Sequence, residues 1–228
     1  MSEYLVKRES LSAIADAIRT RSGAMGKKLN FPDGFVNEVT AISSEDNGTL
    51  RAVIERTITN IVLPNNLTKI GVGAFDGCYN LVLTSLPDGV TSIGASAFLH
   101  CYNLALTSLP SGLTSIGNNA FTDCRNLALT SLPSGLTSIE RYGFTNCPKL
   151  AIKSIPPGVT SIGDGAFSDC TGLTILTFKG MPSSIESKVF KGCTNLTTIN
   201  VPWAEGAVAG APWGATNATI NYNYTGEA

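Results

Sequence analysis

Six cysteines, Cys78, Cys101, Cys124, Cys147, Cys170 and Cys193, stand 23 residues apart along the chain. Thiols can pair as disulfides, bind zinc or act as nucleophiles, and the spacing separates these chemistries. A fixed period of this length is the signature of a solenoid, whose equivalent side chains stack into ladders. Stacked cysteines have nearly parallel Cα–Cβ bonds at the rung spacing, somewhat beyond the Cβ separation of about 3.8 Å usual in a disulfide. A tetrahedral zinc site needs converging ligands, whereas a ladder supplies a line. Each cysteine also lies three residues after a periodic Phe and three before a periodic Leu. The expectation is six buried free thiols that pack as small hydrophobes.

The single histidine, His100, is the other natural candidate for chemistry. Triads and most general-base schemes need a histidine beside a nucleophile or substrate. His100 precedes Cys101 at a place where other repeats carry Gly77, Asp123, Asn146 and Asp169, so it reads as a solvated turn residue. Asp76, Asp123 and Asp169 lie near the same turn and could form a carboxylate row, broken at Leu99. A glycosidase pair drawn from that row competes with an evident turn role for each residue. The chain therefore reads as a non-enzyme, with no catalytic residue, cofactor or metal. The Thr-Ser rows (Thr91-Ser92, Thr114-Ser115, Thr137-Ser138, Thr160-Ser161) read as outward strand positions, and a flat hydroxyl array suits a regular ligand such as a glycan. Tyr79, Tyr102 and Arg125 follow successive cysteines directly, and stacking makes them one exposed stripe of types enriched at binding hot spots. Leu99, Arg141 and Tyr142 are further irregular surface positions and complete the candidate partner-binding set.

The elements that place these residues follow from the same period. Phe75, Phe98, Phe121, Phe144, Phe167 and Phe190 repeat with it, as do the rows from Ile70 to Ile185 and from Leu81 to Leu196. In one coil, Leu127 to Leu132 is short, partly alternating and closed by Pro133, which predicts a strand. Pro133-Ser134-Gly135 is a turn, with Pro and Gly at favoured turn positions. Leu136-Thr137-Ser138-Ile139 is a second extended piece, and Asn119 to Cys124 is a single helical or 3₁₀ turn. The period runs without insertion from residue 58 to 202. Strands of successive coils should pair parallel and in register, giving a rod on the order of 30 Å long. Upstream, Ile58 to Pro64 keeps the strand pattern with Glu55 in the cysteine's place; downstream, Trp203, Trp213, Ile220, Tyr222 and Tyr224 are expected to cover the end of the core.

Leu-Thr-Ser-Ile-Gly-x-x-Ala-Phe-x-x-Cys-x-Asn-Leu followed by Leu-Pro resembles the BspA-type leucine-rich repeat over residues 58–202. The early coils depart from it. The sixth residue after the cysteine, apolar in the family, is Thr84, Thr107, Thr130 and Lys153, with the apolar residue one place earlier; Leu176 and Ile199 restore the family spacing. The resemblance implies a leucine-rich-repeat solenoid with parallel β ladders, and a binding role as in bacterial surface adhesins and prophage proteins.

Residues 1–43 lie off the period. Ser10 is a candidate N-cap; Leu11, Ile14 and Ile18 have helical spacing, and Gly23 ends that helix. Phe35, Val39 and Ile42 suggest a second short helix, and residues 44–49 a linker before the solenoid at 50–202 and a C-terminal cap at 203–228. Two such helices bury too little to stand alone, so their apolar faces must dock on the solenoid, on copies of themselves or on another protein. The segment from Leu11 through Phe35 is similar to the N-termini of prophage tail-associated proteins, and Val201 to Tyr222 to their ends. Net charge is −1 with 14% charged residues, which argues against a nucleic-acid partner. No apolar run reaches membrane-spanning length, and the first residues carry no secretory signal pattern. The expected setting is a virion: synthesis in the bacterial cytoplasm, anchoring by the helices, and a solenoid that contacts a tail or baseplate protein, a host-surface protein or a glycan. Homo-oligomerisation through the helices is a further expectation. A bacterial cell-surface adhesin and a purely structural spacer are the alternatives.

Overall fold

The computed structural model describes residues 59–63 and 65–226. The helices expected around Leu11–Ile18 and Phe35–Ile42, the linker, Glu55, Ile58 and Pro64 lie outside the described residues.

The chain coils into a rod with two parallel sheets. The first is built from β1 (Lys69–Ile70), β2 (Ser92–Ile93), β3 (Ser115–Ile116), β4 (Ser138–Ile139), β6 (Ser161–Ile162) and β8 (Ser184–Ile185), stacked in that order. The second holds β5 (Ser154–Ile155), β7 (Ile175–Phe178), β9 (Thr198–Asn200) and β10 (Thr219–Asn221), in spatial order β10-β9-β7-β5. Register is one period throughout the first sheet, with Ser92 beside Ser115 and Ser115 beside Ser138. At the last rung Thr219 pairs with Thr198, so the period is already lost there.

The second sheet corrects the strand expected at Leu127–Leu132: residues 127–132 form none. Leu129 and Leu132 are both buried but three residues apart, as are Leu106 and the partly buried Leu109. A strand returns to the same face every second residue, so this spacing bends the chain out of strand geometry. Where Leu176 precedes Phe178 by two, both are buried, Ile175 is exposed, and β7 forms. Early coils keep main-chain bonds across this face all the same, from Ala105 N–H to Leu83 O (3.0 Å) and Ala128 N–H to Leu106 O (3.1 Å).

The segment before each cysteine is a run of turns rather than a helix. The amides of Ala74, Asp76 and Cys78 donate three residues back, to Gly71, Gly73 and Phe75. The alternate amides of Gly73, Phe75 and Gly77 donate along the rod to Ala95, Ala97 and Leu99 of the next coil, each at 2.8 Å. Two residues in each of the first five coils reach this arrangement through positive φ, such as Gly73 (63°) and Gly77 (70°), or Asn119 (55°) and Asp123 (63°) in the same places; the coil of Cys193 has Gly192 alone. Gly, Asn and Asp tolerate that region best.

Six phenylalanine rings form the spine. Neighbouring centroids from Phe75 to Phe167 lie 5.3–5.4 Å apart, the last pair (Phe167–Phe190) at 5.9 Å, and all planes are within 12°. Outside, each threonine of one row bonds the coil before it: Thr137 Oγ1 donates to Thr114 O at 2.9 Å, and Thr160 Oγ1 to Thr137 O at 3.2 Å. At the C-terminal end Trp203 and Trp213 are buried and pack on Phe178, with centroids 5.3 and 6.0 Å away. Ile220 and Tyr222 are half-buried against the core, and Tyr224 is exposed.

The two faces of the coil make a stability prediction. Phe121→Ala removes a fully buried ring flanked on both sides and should cost about 3–5 kcal/mol. Thr137→Ala should cost about 1 kcal/mol or less, because Thr114 O keeps the Thr137 amide as a donor. Denaturant melts of both variants check this; equal losses would mean that the spine does not carry the fold.

Candidate functional site

All six cysteines are buried thiols outside any disulfide. Each from Cys101 onward sends its Sγ to the carbonyl of the phenylalanine one coil back: Cys101 to Phe75 (3.0 Å), Cys124 to Phe98 (3.1 Å), Cys147 to Phe121 (3.0 Å), Cys170 to Phe144 (2.9 Å) and Cys193 to Phe167 (3.0 Å). The carbonyls of Phe75, Phe98, Phe121 and Phe167 also accept the amide of their own coil's cysteine, as Phe75 O does from Cys78 N–H (3.0 Å). The site asks for a small apolar group with one donor, and a thiol is that group. Burial raises the five thiols from Cys101 onward, Cys193 to about 12 and the other four at least as clearly, with neighbouring thiols adding to the rise at Cys101, Cys124 and Cys170. At those five positions the thiolate is disfavoured near neutral pH. Among the described residues no group of three or more His, Cys, Asp or Glu is placed to hold a metal ion.

The outward residues flanking the cysteines form the candidate site. His100 sits at φ 60°, in the left-handed position shared by Gly77 and Asp123. Its Nδ1 lies 3.8 Å from Asp76 Oδ1 and its Nε2 3.6 Å from Asp123 Oδ2. The turn position thus places the imidazole between two carboxylates, which reading the residue alone as a solvated turn does not reveal. Its alignment with Asp123 on the 23-residue period was the available signal. Asp123 also accepts a hydrogen bond from Asn146 Nδ2.

Directly after the cysteines in sequence, Tyr79, Tyr102 and Arg125 come together. The tyrosine centroids are 5.1 Å apart at 32°, and the Arg125 guanidinium lies 4.5 Å over the Tyr102 ring. Both faces of Tyr102 are therefore occupied, which leaves ring edges and hydroxyls to meet a ligand. The two rows touch: His100 meets Tyr102 edge-on at 6.2 Å, and Arg125 Nη2 lies 3.8 Å from Asp123 Oδ1. Leu99 is half-buried, and its carbonyl accepts Gly77 N–H at 2.8 Å. Arg141 and Tyr142 make a cluster of their own with Asp164: Arg141 Nη2 is 3.3 Å from Asp164 Oδ2, Tyr142 Oη donates to the same oxygen at 3.4 Å, and the guanidinium lies 5.0 Å over the Tyr142 ring. Glu140, beside them, accepts the Asn118 amide at 3.1 Å. The candidate anchoring residues Leu11, Ile14, Ile18, Phe35, Val39 and Ile42 lie outside the described residues.

The period, the sheets and the Phe–Cys spine have a counterpart among known sequences. The family model of the BspA type leucine rich repeat region, in six copies, matches residues 54–151 and 91–205. The chain belongs to the BspA-type leucine-rich repeat family. A leucine-rich repeat protein from Bacteroides ovatus is 29% identical, with a TM-score of 0.52, over 72% of this chain and 46% of its own. A leucine rich cell surface protein from Faecalibacterium prausnitzii is 28% identical over 64% of this chain and 49% of its own, at TM-score 0.48. A leucine rich repeat protein from T. pallidum is 30% identical over 63% and 69%, at TM-score 0.45. The chain spans about half the length of the first two. No curated protein matches it. BspA-type members are typically binding or surface proteins.

The raised thiols fix the sign of a pH effect. Folded-state values above the ordinary 9.0 mean that the folded chain holds these protons more tightly. Their contribution is complete below about pH 9 and is lost as pH rises toward 12. Melting temperature should fall across that window, and a chain with Cys124→Ala and Cys147→Ala should show a shallower fall. Aromatic disulfide reagents should modify few thiols in the native chain and all six after unfolding. Prompt native labelling would contradict the buried ladder.

Proposed function

We propose that this chain is a non-enzymatic component of a phage tail, anchored by its N-terminal segment, whose repeat solenoid makes protein contacts with a host-surface or virion partner. The observation that carries the reading is the pre-stacked Tyr79–Tyr102–Arg125 row, with its parallel row Asp76, His100 and Asp123. Tyrosine and arginine held rigid before binding lose little freedom in the complex. Occupied ring faces also speak for a protein over a glycan, because sugars stack on open aromatic faces. The similarity of the segments around Leu11–Phe35 and Val201–Tyr222 to prophage tail-associated proteins supports the setting. Family membership favours a second reading, a bacterial cell-surface adhesin; a plain spacer is the bland third.

Two variants test the division of labour. Removing residues 1–48 should leave a soluble, strand-rich chain that no longer co-sediments with tail particles. Aggregation of the shortened chain would show that the segment covers the solenoid, and unimpaired co-sedimentation would place the anchor elsewhere. Replacing Tyr79, Tyr102 and Arg125 together by Ser should weaken binding to cells or to tail proteins about tenfold or more at nearly unchanged melting temperature. Immunogold labelling of cell envelopes in place of particles would favour the adhesin.

A further inference from the structure

The two rows beside the cysteines differ in kind. One carries carboxylates and the imidazole: Asp76, His100 and Asp123. The other carries the phenols and the guanidinium: Tyr79, Tyr102 and Arg125. In sequence the first row precedes the buried cysteines, Asp76 by two residues and His100 and Asp123 by one, and the second follows Cys78, Cys101 and Cys124 directly. A member of one row already meets a member of the other within the chain, at Arg125–Asp123 (3.8 Å) and His100–Tyr102 (6.2 Å).

We infer that this edge pairs with the same edge of a second copy, the two rods lying side by side and parallel. This rests on the reading of the edge as a contact surface and names its partner. A two-fold axis along the rod, between the rows, lays each row on the opposite row of the other chain. Asp123 then faces Arg125 of the second copy, and Arg125 faces Asp123. His100 faces the Tyr102 hydroxyl, and Asp76 the Tyr79 hydroxyl, twice each. Such an isologous contact repeats every favourable pair by symmetry. The antiparallel alternative, with the axis across the rod, sets Asp76 against Asp123 and His100 against itself. Charge therefore selects the parallel pairing, in which both chains present their first coils at one end. Exposure permits it: the side chains of Arg125, His100, Asp76 and Asp123 are 57%, 41%, 31% and 21% accessible. The edge is narrow, so the contact belongs to the weak, reversible class.

Charge reversal tests the pairing in the full chain. Arg125→Glu sets acid against acid across the two-fold axis, and Asp123→Lys sets base against base. Each variant alone should self-associate at least about tenfold more weakly than the wild type in sedimentation velocity. An equimolar mixture should recover association, because both cross-chain contacts then join opposite charges. Tagged Arg125→Glu should likewise capture untagged Asp123→Lys in about tenfold excess over untagged Arg125→Glu. That comparison cancels any association through the N-terminal segment. Asp123 shares its left-handed position in the coil with His100, so a side chain longer than aspartate is accommodated there. Asp123→Asn, the residue type present at Asn146, is the milder variant and should also weaken association. A wild type that stays monomeric across the micromolar range overturns the pairing, as does equal capture in all combinations. If the triple serine variant still loses its tail or cell partner in that event, the contact-surface reading stands and only the second copy is excluded. Recovery on mixing alongside unaltered partner binding by the triple variant supports the pairing and removes the edge from partner recognition.

Discussion

Every coil of this rod is tied to the next by main-chain hydrogen bonds that reach across one period, and this constraint governs the rest. Phe75 N–H meets Ala97 O and Phe98 N–H meets Ala120 O at the same 2.8 Å, as though one coil had been copied along an axis. A single inserted residue would displace half of these bonds and take the phenylalanine above out of its stack. The carbonyls of Phe75, Phe98, Phe121 and Phe167 gather two further bonds at the same point, from the cysteine amide of their own coil and the thiol of the next. Phe and Cys thus recur together because the ring fills the core while its carbonyl needs a small inward donor. Buried polar groups left without a partner are costly, and the thiol meets that need without adding volume.

The same constraint shapes what the surface can do. Equal positions stack, so side chains come in lines: threonine hydroxyls on carbonyls, asparagines on asparagines (Asn126 Nδ2 to Asn103 Oδ1, 3.3 Å), tyrosine on tyrosine. Extended contact along a row is what this geometry supports. Chemistry then enters where a row changes identity from coil to coil, as at Gly77, His100, Asp123 and Asn146, or at Tyr79, Tyr102 and Arg125. The Arg141–Tyr142–Asp164 cluster is another such departure, beside the Glu140 carboxylate that caps the Asn118 amide.

Regularity also varies along the rod. The first sheet runs through six coils because its Ser-Ile pair hardly changes, with Lys69 in place of serine only in β1. The second begins with only the two-residue β5, where buried Ile152 and Ile155 are still three apart, and lengthens once the apolar residues stand two apart, at Leu176 and Phe178 and again at Ile199 and Val201. Beyond Val201 the indoles of Trp203 and Trp213 fill the end of the core and β10 pairs out of period, so the repeat ends in residues of a different shape.

Period, solenoid class, buried thiols and family were legible in the residues alone, because a 23-residue repeat of Phe, Cys, Ile and Leu admits one way of burying them together. The tyrosine–arginine stripe was legible for the same reason: stacking follows from equal spacing. Other features were decided only by the folded chain. The strand expected at Leu127–Leu132 is absent because a three-residue separation of buried leucines cannot lie on one strand face. The turns before each cysteine are not helical because alternate amides bond along the rod, a choice made between coils rather than within one. His100 stands between Asp76 and Asp123, residues 24 and 23 positions away, because coiling brings neighbours of the period into contact. Sequence determined which residues share a row; tertiary structure decided which rows touch, because the distance between rows depends on the turn's backbone geometry and not on the period.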